Sequence, residues 1–231
     1  LLLQLDLKQD QLQEIRHHVS STIRASLNGE KTSLACLNTF IYLPHSSTHF
    51  TFLAIDLGGT NLRVALCYKH THHVDIIVLK KVKISEDLMS GDVHRLFDFT
   101  ASVVKTCLAE HDTFSSLEVG FTFSFPVQQE TLSSGIILDW SKQYNLALGF
   151  DPVQQLALSF KKYELSFLTI KSLLNDTSAT LLANRFIHSN CYVGLILGTG
   201  TNMSLCVPLH RVQSSYRRYD KQQVVINCES G

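Results

Sequence analysis

Two stretches of this chain share one design, an apolar strand, a glycine-bearing turn and a second apolar strand. Phe52-Leu53-Ala54-Ile55-Asp56 runs into Gly58-Gly59 and then into Leu62 to Tyr68. Tyr192 to Leu197 runs into Gly198-Thr199-Gly200 and then into Asn202 to Val207. A glycine turn between two strands closes a β-hairpin. It is not the strand-to-helix turn of a Walker loop, nor the GxGxxG of a dinucleotide site. One such unit in each half predicts two related domains with a cleft between them.

The segments around these hairpins read as α/β. A third apolar run, Val74 to Ile84, would extend the first sheet. Asp92 to Glu110 has the period of a helix, with Val93, Leu96, Phe97, Val104 and Leu108 on its apolar side. Leu117 to Phe125 is a strand, Pro152 to about Tyr163 a helix, and Leu168 to Leu174 a strand ending at Asn175-Asp176. A helix from Ala179 to Phe186 follows. Near the start, Leu12, Ile15, Val19, Ile23 and Leu27 recur at helical spacing, and Asn28-Gly29 supplies the stop. The polar face of that helix is mixed rather than basic, so packing on its own domain is expected over a membrane or partner surface.

Composition removes several classes. Hydrophobic residues are 45% and charged residues 17% of the 231, a globular balance. Lys plus Arg and Asp plus Glu are 20 each, so neither nucleic acid nor an anionic membrane is an expected partner. Six cysteines, at 36, 67, 107, 191, 206 and 228, form no CxxC pair and read as free thiols of a reducing cytosol. No apolar run approaches the roughly 18–20 residues that span a bilayer. The chain starts Leu1-Leu2-Leu3-Gln4-Leu5-Asp6, with neither Met nor a basic leader, and stops at Glu229-Ser230-Gly231, so both ends are expected to be cut.

The turns have a phosphate logic. Without a Cβ, backbone N–H groups come close to an anion. In Asp56-Leu57-Gly58-Gly59-Thr60-Asn61, Thr60 and Asn61 add donors, Arg63 adds a cation, and Asp56 suits a hydrated Mg²⁺. An ordinary hairpin turn remains the other account of either turn alone. Two turns across a cleft would grip a triphosphate from both sides. Asp176, at a strand end, is either a general base or the N-cap of the next helix. His70-Thr71-His72-His73 lies between strands without nearby cysteine or acidic ligands, and is expected to be a solvated hairpin loop, not a metal site. Ser124 in Phe123-Ser124-Phe125-Pro126 lacks the GxSxG elbow of a hydrolase.

Six blocks in order make a more specific resemblance. Phe52 to Arg63 is similar to the first phosphate segment of eukaryotic hexokinases and glucokinases. Gly120-Phe121-Thr122-Phe123-Ser124-Phe125-Pro126 and Gly135-Ile136-Ile137-Leu138-Asp139-Trp140-Ser141-Lys142 resemble their sugar-binding segments. Leu174-Asn175-Asp176-Thr177 resembles the segment of the catalytic aspartate, Gly198-Thr199-Gly200 the second phosphate turn, and Asn227-Cys228-Glu229 the segment of a sugar-binding glutamate. Departures are Ser141-Lys142-Gln143-Tyr144 for the usual Thr-Lys-Gly-Phe, Glu229-Ser230-Gly231 for Glu-Trp-Gly, and Asn38 for a proline. Bacterial-type sugar kinases share the Asp-x-Gly-Gly-Thr turn, but their cysteine-rich zinc motif has no counterpart here.

The resemblance implies an α/β fold of the actin-like ATPase (ribonuclease H-like) type, with two domains around a cleft and the second incomplete. Residues 1–47 would be the first helix and connector of the large domain, 48–174 the small domain, and 175–231 the start of the large domain. The adenosine-binding segment would lie beyond Gly231. Implied is a cytoplasmic hexokinase that moves the γ-phosphoryl of ATP to the 6-hydroxyl of a hexose such as glucose, with Asp176 as general base. Ser124, Phe125, Ser141, Lys142, Asn175, Asp176, Asn202 and Glu229 would bind the sugar. Asp56, Leu57, Gly58, Gly59, Thr60, Asn61 and Arg63, with Gly198, Thr199 and Gly200, would hold the nucleotide phosphates. Asp56 would meet the Mg²⁺ of ATP through water. A non-catalytic sugar sensor or regulatory paralogue is the alternative, and these residues by themselves are expected to turn over poorly. The resemblance admits a monomer or a dimer, and association with the mitochondrial outer membrane, which no residue here shows.

Overall fold

A computed structural model describes residues 7–42, 49–111, 114–140, 144–197, 201–212 and 223–229. In the first hairpin, β2 (Phe50–Leu57) pairs antiparallel with β3 (Asn61–Lys69), from Phe50 opposite Lys69 to Leu57 opposite Leu62. That register places residues 58–60 at the turn, as the glycines predict. Strand β4 (Val74–Lys83) continues the sheet beyond β3. On the other side, β5 (Leu117–Phe123) lies parallel to β2, and β8 (Leu168–Leu174) parallel to β5, giving the order β4-β3-β2-β5-β8. A parallel neighbour requires a crossover. Helix α2 (Val93–Leu108) supplies the one before β5, and α3 (Pro152–Lys162) lies in the one before β8.

Each crossover helix begins on an aspartate. Asp92 Oδ1 accepts from His94 N–H at 2.9 Å, and Asp151 Oδ1 from Val153 N–H at 2.7 Å. These bonds satisfy first-turn donors that have no partner inside the helix. The five residues expected on the apolar side of α2 are all buried, in one core with Leu53, Ile55, Phe121, Leu156 and Phe160.

The second sheet is antiparallel throughout, β1 (Ala35–Tyr42), β11 (Gln223–Glu229), β10 (Thr201–Pro208) and β9 (Val193–Leu197) in that order. Helix α4 (Asp176–Ile187) covers one face, where Leu181 packs with Ile41, Cys206 and Val225. The opposite face packs Val224, Ile226 and Cys228 against Leu27 and Ile23 at the end of α1 (Gln9–Leu27). Alternate residues of β11 thus serve opposite layers, as a pleated strand requires.

Three features differ from the sequence expectation. Helix α4 starts three residues before Ala179, because Asn175 caps it. Only the last turns of α1 pack on the sheet, while Leu12, Ile15 and Val19 stay exposed among the described residues. Strand β1 and a small hairpin, β6 (Val127–Thr131) with β7 (Ser134–Ile137), carry too little alternation to stand out. β1 is interrupted by a bulge, where Phe40 has φ +55° and its N–H donates to Asn38 Oδ1 at 2.9 Å.

Candidate functional site

Parallel pairing sets the site. Leu57 lies opposite Phe123 and Thr122 opposite Leu174, so β2, β5 and β8 end at one edge of the sheet. The residues that follow these ends are the 58–60 turn, Ser124 and Asn175-Asp176. Ligands of open α/β sheets bind outside the carboxyl ends of the strands. A cleft of about 480 Å³ opens there. Its walls include Asp56, Gly58, Gly59, Thr60, Asn61 and Arg63 on one side, Thr122 and Ser124 at the base, and Asp176, Ala179, Thr180 and Ile196 on the other.

Asp56 and Arg63 stand directly opposite each other on β2 and β3, and Arg63 Nη1 donates to Asp56 Oδ2 at 2.5 Å. The two side chains are 31% and 46% exposed. A half-exposed pair of this kind is worth about 0–1 kcal/mol, so either partner is readily given up to an incoming anion or hydrated cation. The turn is closed by Gly58 N–H to Asn61 O at 3.1 Å and pinned, just past the end of β4, by Ile84 N–H to Thr60 O at 3.0 Å. A Cβ on Gly58 would come no closer than 3.5 Å to another atom, and its φ lies outside the left-handed region. Bending is therefore not the use of Gly58. Its missing side chain keeps the cleft wall low, so that a ligand reaches the backbone.

Asp176 is the first residue of α4, and the cap is Asn175, whose Oδ1 accepts from Thr177 N–H at 3.0 Å. The two sequence accounts of Asp176 therefore separate, because its neighbour does the capping. Asp176 Oδ1 accepts from the same Thr177 N–H at 2.9 Å, which orients the carboxylate at the cleft wall.

Behind it lies a network of amides. Asn175 Oδ1 also accepts from Thr177 Oγ1 at 2.8 Å and from Asn202 Nδ2 at 3.3 Å. Asn202 Nδ2 reaches Asn227 Oδ1 at 3.1 Å, and Asn227 Nδ2 donates to Glu229 Oε1 at 2.6 Å. Thr177 Oγ1 meets Ser204 Oγ at 2.8 Å, and Ser204 meets Ser178 at the same distance. One polar cluster thus ties the start of α4 to β10 and β11, and it gathers Asn175, Asn202 and Glu229 from positions far apart in the chain. Amides and a carboxylate side by side offer alternating donors and acceptors, the complement of a polyhydroxylated ligand.

An aromatic group supports the base of the cleft. Trp140 and Tyr144 stack at 5.4 Å with 11° between their planes, and both meet Phe125 edge-on. Tyr144 Oη donates to Gly58 O at 3.3 Å, joining the segment after Trp140 to the first turn. Burial pushes the Tyr144 phenol well above its ordinary pKa, so it stays protonated and a donor.

The sequence-derived residues divide. Asp56, Gly58, Gly59, Thr60, Asn61, Arg63, Ser124 and Asp176 line one cleft, and Asn175, Asn202 and Glu229 form the cluster beside it. The Leu57 and Phe125 side chains are core residues. Ser141, Lys142, Gly198, Thr199 and Gly200 lie outside the described residues. Sequence reasoning passed over Asn227, though it lies two residues from Glu229 on the same strand face. It also passed over Thr177, Ser204, Tyr144 and Gly194, whose roles come from contacts distant in sequence.

Comparison with known proteins decides the family. The hexokinase family profile matches residues 1–186, and a second hexokinase profile matches residues 192–231. The chain belongs to the hexokinase family. It is 35% identical over 200 residues to Hexokinase-2 of Arabidopsis thaliana, covering 82% of this chain and 40% of that protein. It is 33% identical over 229 residues to human Hexokinase-3, covering 97% of this chain and 24% of that one. A Schistosoma mansoni hexokinase solved in complex with glucose superposes with a TM-score of 0.86 at 29% identity, over 96% of this chain and 51% of its own. The fold is therefore the α/β, actin-like ATPase type expected. This hexokinase chain spans less than half the length of those two curated relatives.

Proposed function

We propose that this chain carries the sugar-binding and phosphate-facing parts of an ATP-dependent hexose kinase, which transfers the γ-phosphoryl to the 6-hydroxyl of a hexose such as glucose. The observation that carries the proposal is the meeting of three groups at one sheet edge: the Asp56–Arg63 turn, Asp176, and the Asn175–Asn202–Glu229 cluster. In this reading residues 48–174 act as the small domain, and 1–47 with 175–231 belong to the large one.

Sugar hydroxyls exchange hydrogen bonds with Asn175, Asn202 and Glu229, and with Ser124 from the end of β5. Buried polar partners left unpaired by the wrong sugar make such a site selective. Asp176 accepts the proton of the attacking hydroxyl while Thr177 N–H holds Oδ1 in place. The first turn receives phosphate oxygens through backbone N–H groups, Thr60 and Asn61, and Arg63 leaves Asp56 to meet the developing charge. The turn's side chains offer carboxylate, hydroxyl and amide oxygens without thiol or imidazole, a donor set that fits Mg²⁺ carried by phosphates and water. Asp56 would hold that ion through water, and the ion would neutralise charge on the phosphoryl oxygens.

Asp176→Asn tests the assignment. Glucose-dependent ADP formation from MgATP, measured on the protein translated from the whole reading frame, is expected to fall about 10²–10⁴-fold. Glucose binding, followed by calorimetric titration of the same protein, should persist. Near-normal turnover in the variant would remove Asp176 as the base. Glucose binding without turnover in the unmodified protein would favour a sugar sensor.

A further inference from the structure

The hairpin that joins β3 to β4 gathers three metal-ligating side chains, and it does so away from the cleft. His70 N–H donates to His73 O at 2.8 Å, closing a tight turn over Thr71 and His72. That closure sets His70 beside His73, and their rings stack at 4.0 Å with 10° between planes. His73 immediately precedes β4 and Asp75 is the second residue of that strand, and both stand beside His70. Asp75 Oδ2 lies 2.8 Å from His70 Nε2, and Asp75 Oδ1 lies 3.8 Å from His73 Nε2. The sequence expectation of no acidic ligand near this loop fails at Asp75. The carboxylate sits on the next strand, and the turn folds it back against both rings.

We propose that His70, His73 and Asp75 form a binding site for a divalent transition-metal cation of the zinc class. Two imidazoles and one carboxylate suit Zn²⁺, Cu²⁺ or Ni²⁺, whereas Mg²⁺ and Ca²⁺ take all-oxygen sets. The three ligand atoms already lie within 4.8 Å of one another. Ligands at about 2.0–2.1 Å around a tetrahedral zinc stand about 3.3 Å apart, so modest side-chain rotation closes the set. Exposure permits that rotation, since His73 and Asp75 are each more than 60% exposed. Neighbouring side chains also touch the loop. Tyr68 meets the His70 ring edge-on at 4.7 Å, and His49 Nε2 lies 2.9 Å from Thr71 Oγ1. Three protein ligands leave the fourth position to water. The nine residues of β3 separate this site from the first glycine turn by roughly 30 Å at ~3.4 Å per residue, so it does not depend on the proposed kinase chemistry.

Calorimetric titration of the reduced protein with ZnCl₂ tests the site. H70A/H73A is expected to bind one equivalent fewer than the unmodified protein, and D75N to weaken that equivalent at least tenfold. Histidine ring resonances give a readout free of substitution. Those of His70 and His73 should shift with the first equivalent, before those of His17 and His18 on α1. Unchanged stoichiometry and affinity in H70A/H73A, or a first equivalent that shifts other histidines and leaves His70 and His73 in place, would overturn the proposal. Should the double variant fail to fold, D75N and the resonances decide alone.

Discussion

Gly194 in β9 is the residue through which a one-atom change should reach Asp176, the carboxylate proposed as the general base. A Cβ built there would lie 2.5 Å from Thr177 O and 2.8 Å from both Leu181 Cβ and Leu181 N. Ordinary contact begins near 3.4 Å, so the closest approach is about 0.9 Å short. All three atoms belong to the first turns of α4, and two are backbone, so no side-chain rotation relieves the clash. In Gly194→Ala the helix must back away from the sheet by most of an ångström, carrying Asp176 and its cap Asn175 with it. Overpacking of this size costs about 1–3 kcal/mol. At about 2–4 °C per kcal/mol for a chain of this size, Tm should fall by about 2–12 °C. A catalytic group displaced by about 1 Å loses up to ~10²-fold in rate, so kcat should fall further than thermal stability alone explains. The assay pairs a thermal melt with glucose-dependent ADP release at a temperature where both proteins are folded. An alanine variant with unchanged Tm and unchanged kcat would refute the claim that this approach positions Asp176.

Two further outcomes complement the tests of Asp176 and of the zinc site. Tyr144→Phe removes the donor to Gly58 O but keeps the stack on Trp140. It should cost about 1 kcal/mol and raise the KM for ATP more than it lowers kcat; an unchanged KM would mean that the bond does not hold the turn. Cys36 and Cys228 face each other across β1 and β11 with sulfurs 3.6 Å apart. The Cys228 thiol stabilises a Cys36 thiolate, bringing Cys36 down to about 7, while that contact and burial push Cys228 up. Cys36 should therefore gain thiolate as pH rises through about 7, and alkylation of the folded protein should reach half its maximal rate near pH 7. Half-maximal alkylation near pH 9 would remove the effect, and Cys228→Ala should produce that shift deliberately.

Much of the site was legible because its parts are local. Phe52 to Arg63 holds a hairpin whose strand period and glycine pair are written in a dozen consecutive residues. Asp176 announces itself at a strand end before a helical run. Other parts were opaque for a physical reason. Asn227 and Ser204 look like any polar strand residue until pairing of β10 with β11 sets Ser204 opposite Asn227. The letter of Gly58 left open whether its φ or its empty space is in use, and only the backbone shows that it is the space. Asp75 was overlooked beside the histidines because nearness along a hairpin depends on where the turn closes.

The sequence by itself determined the α/β class, the order of most elements, and the family blocks with Asp176 among them, since local propensity and apolar period act over a few residues. Tertiary structure alone decided that Asp176 stands at the wall of the cleft, and that three amides and a carboxylate from distant segments share one network. It also decided that α4 approaches β9 closely enough to require glycine, and that a hairpin turn folds a carboxylate onto two imidazoles. Each of these depends on distances between residues tens of positions apart or on the closing of a turn, and only packing and strand register set such distances.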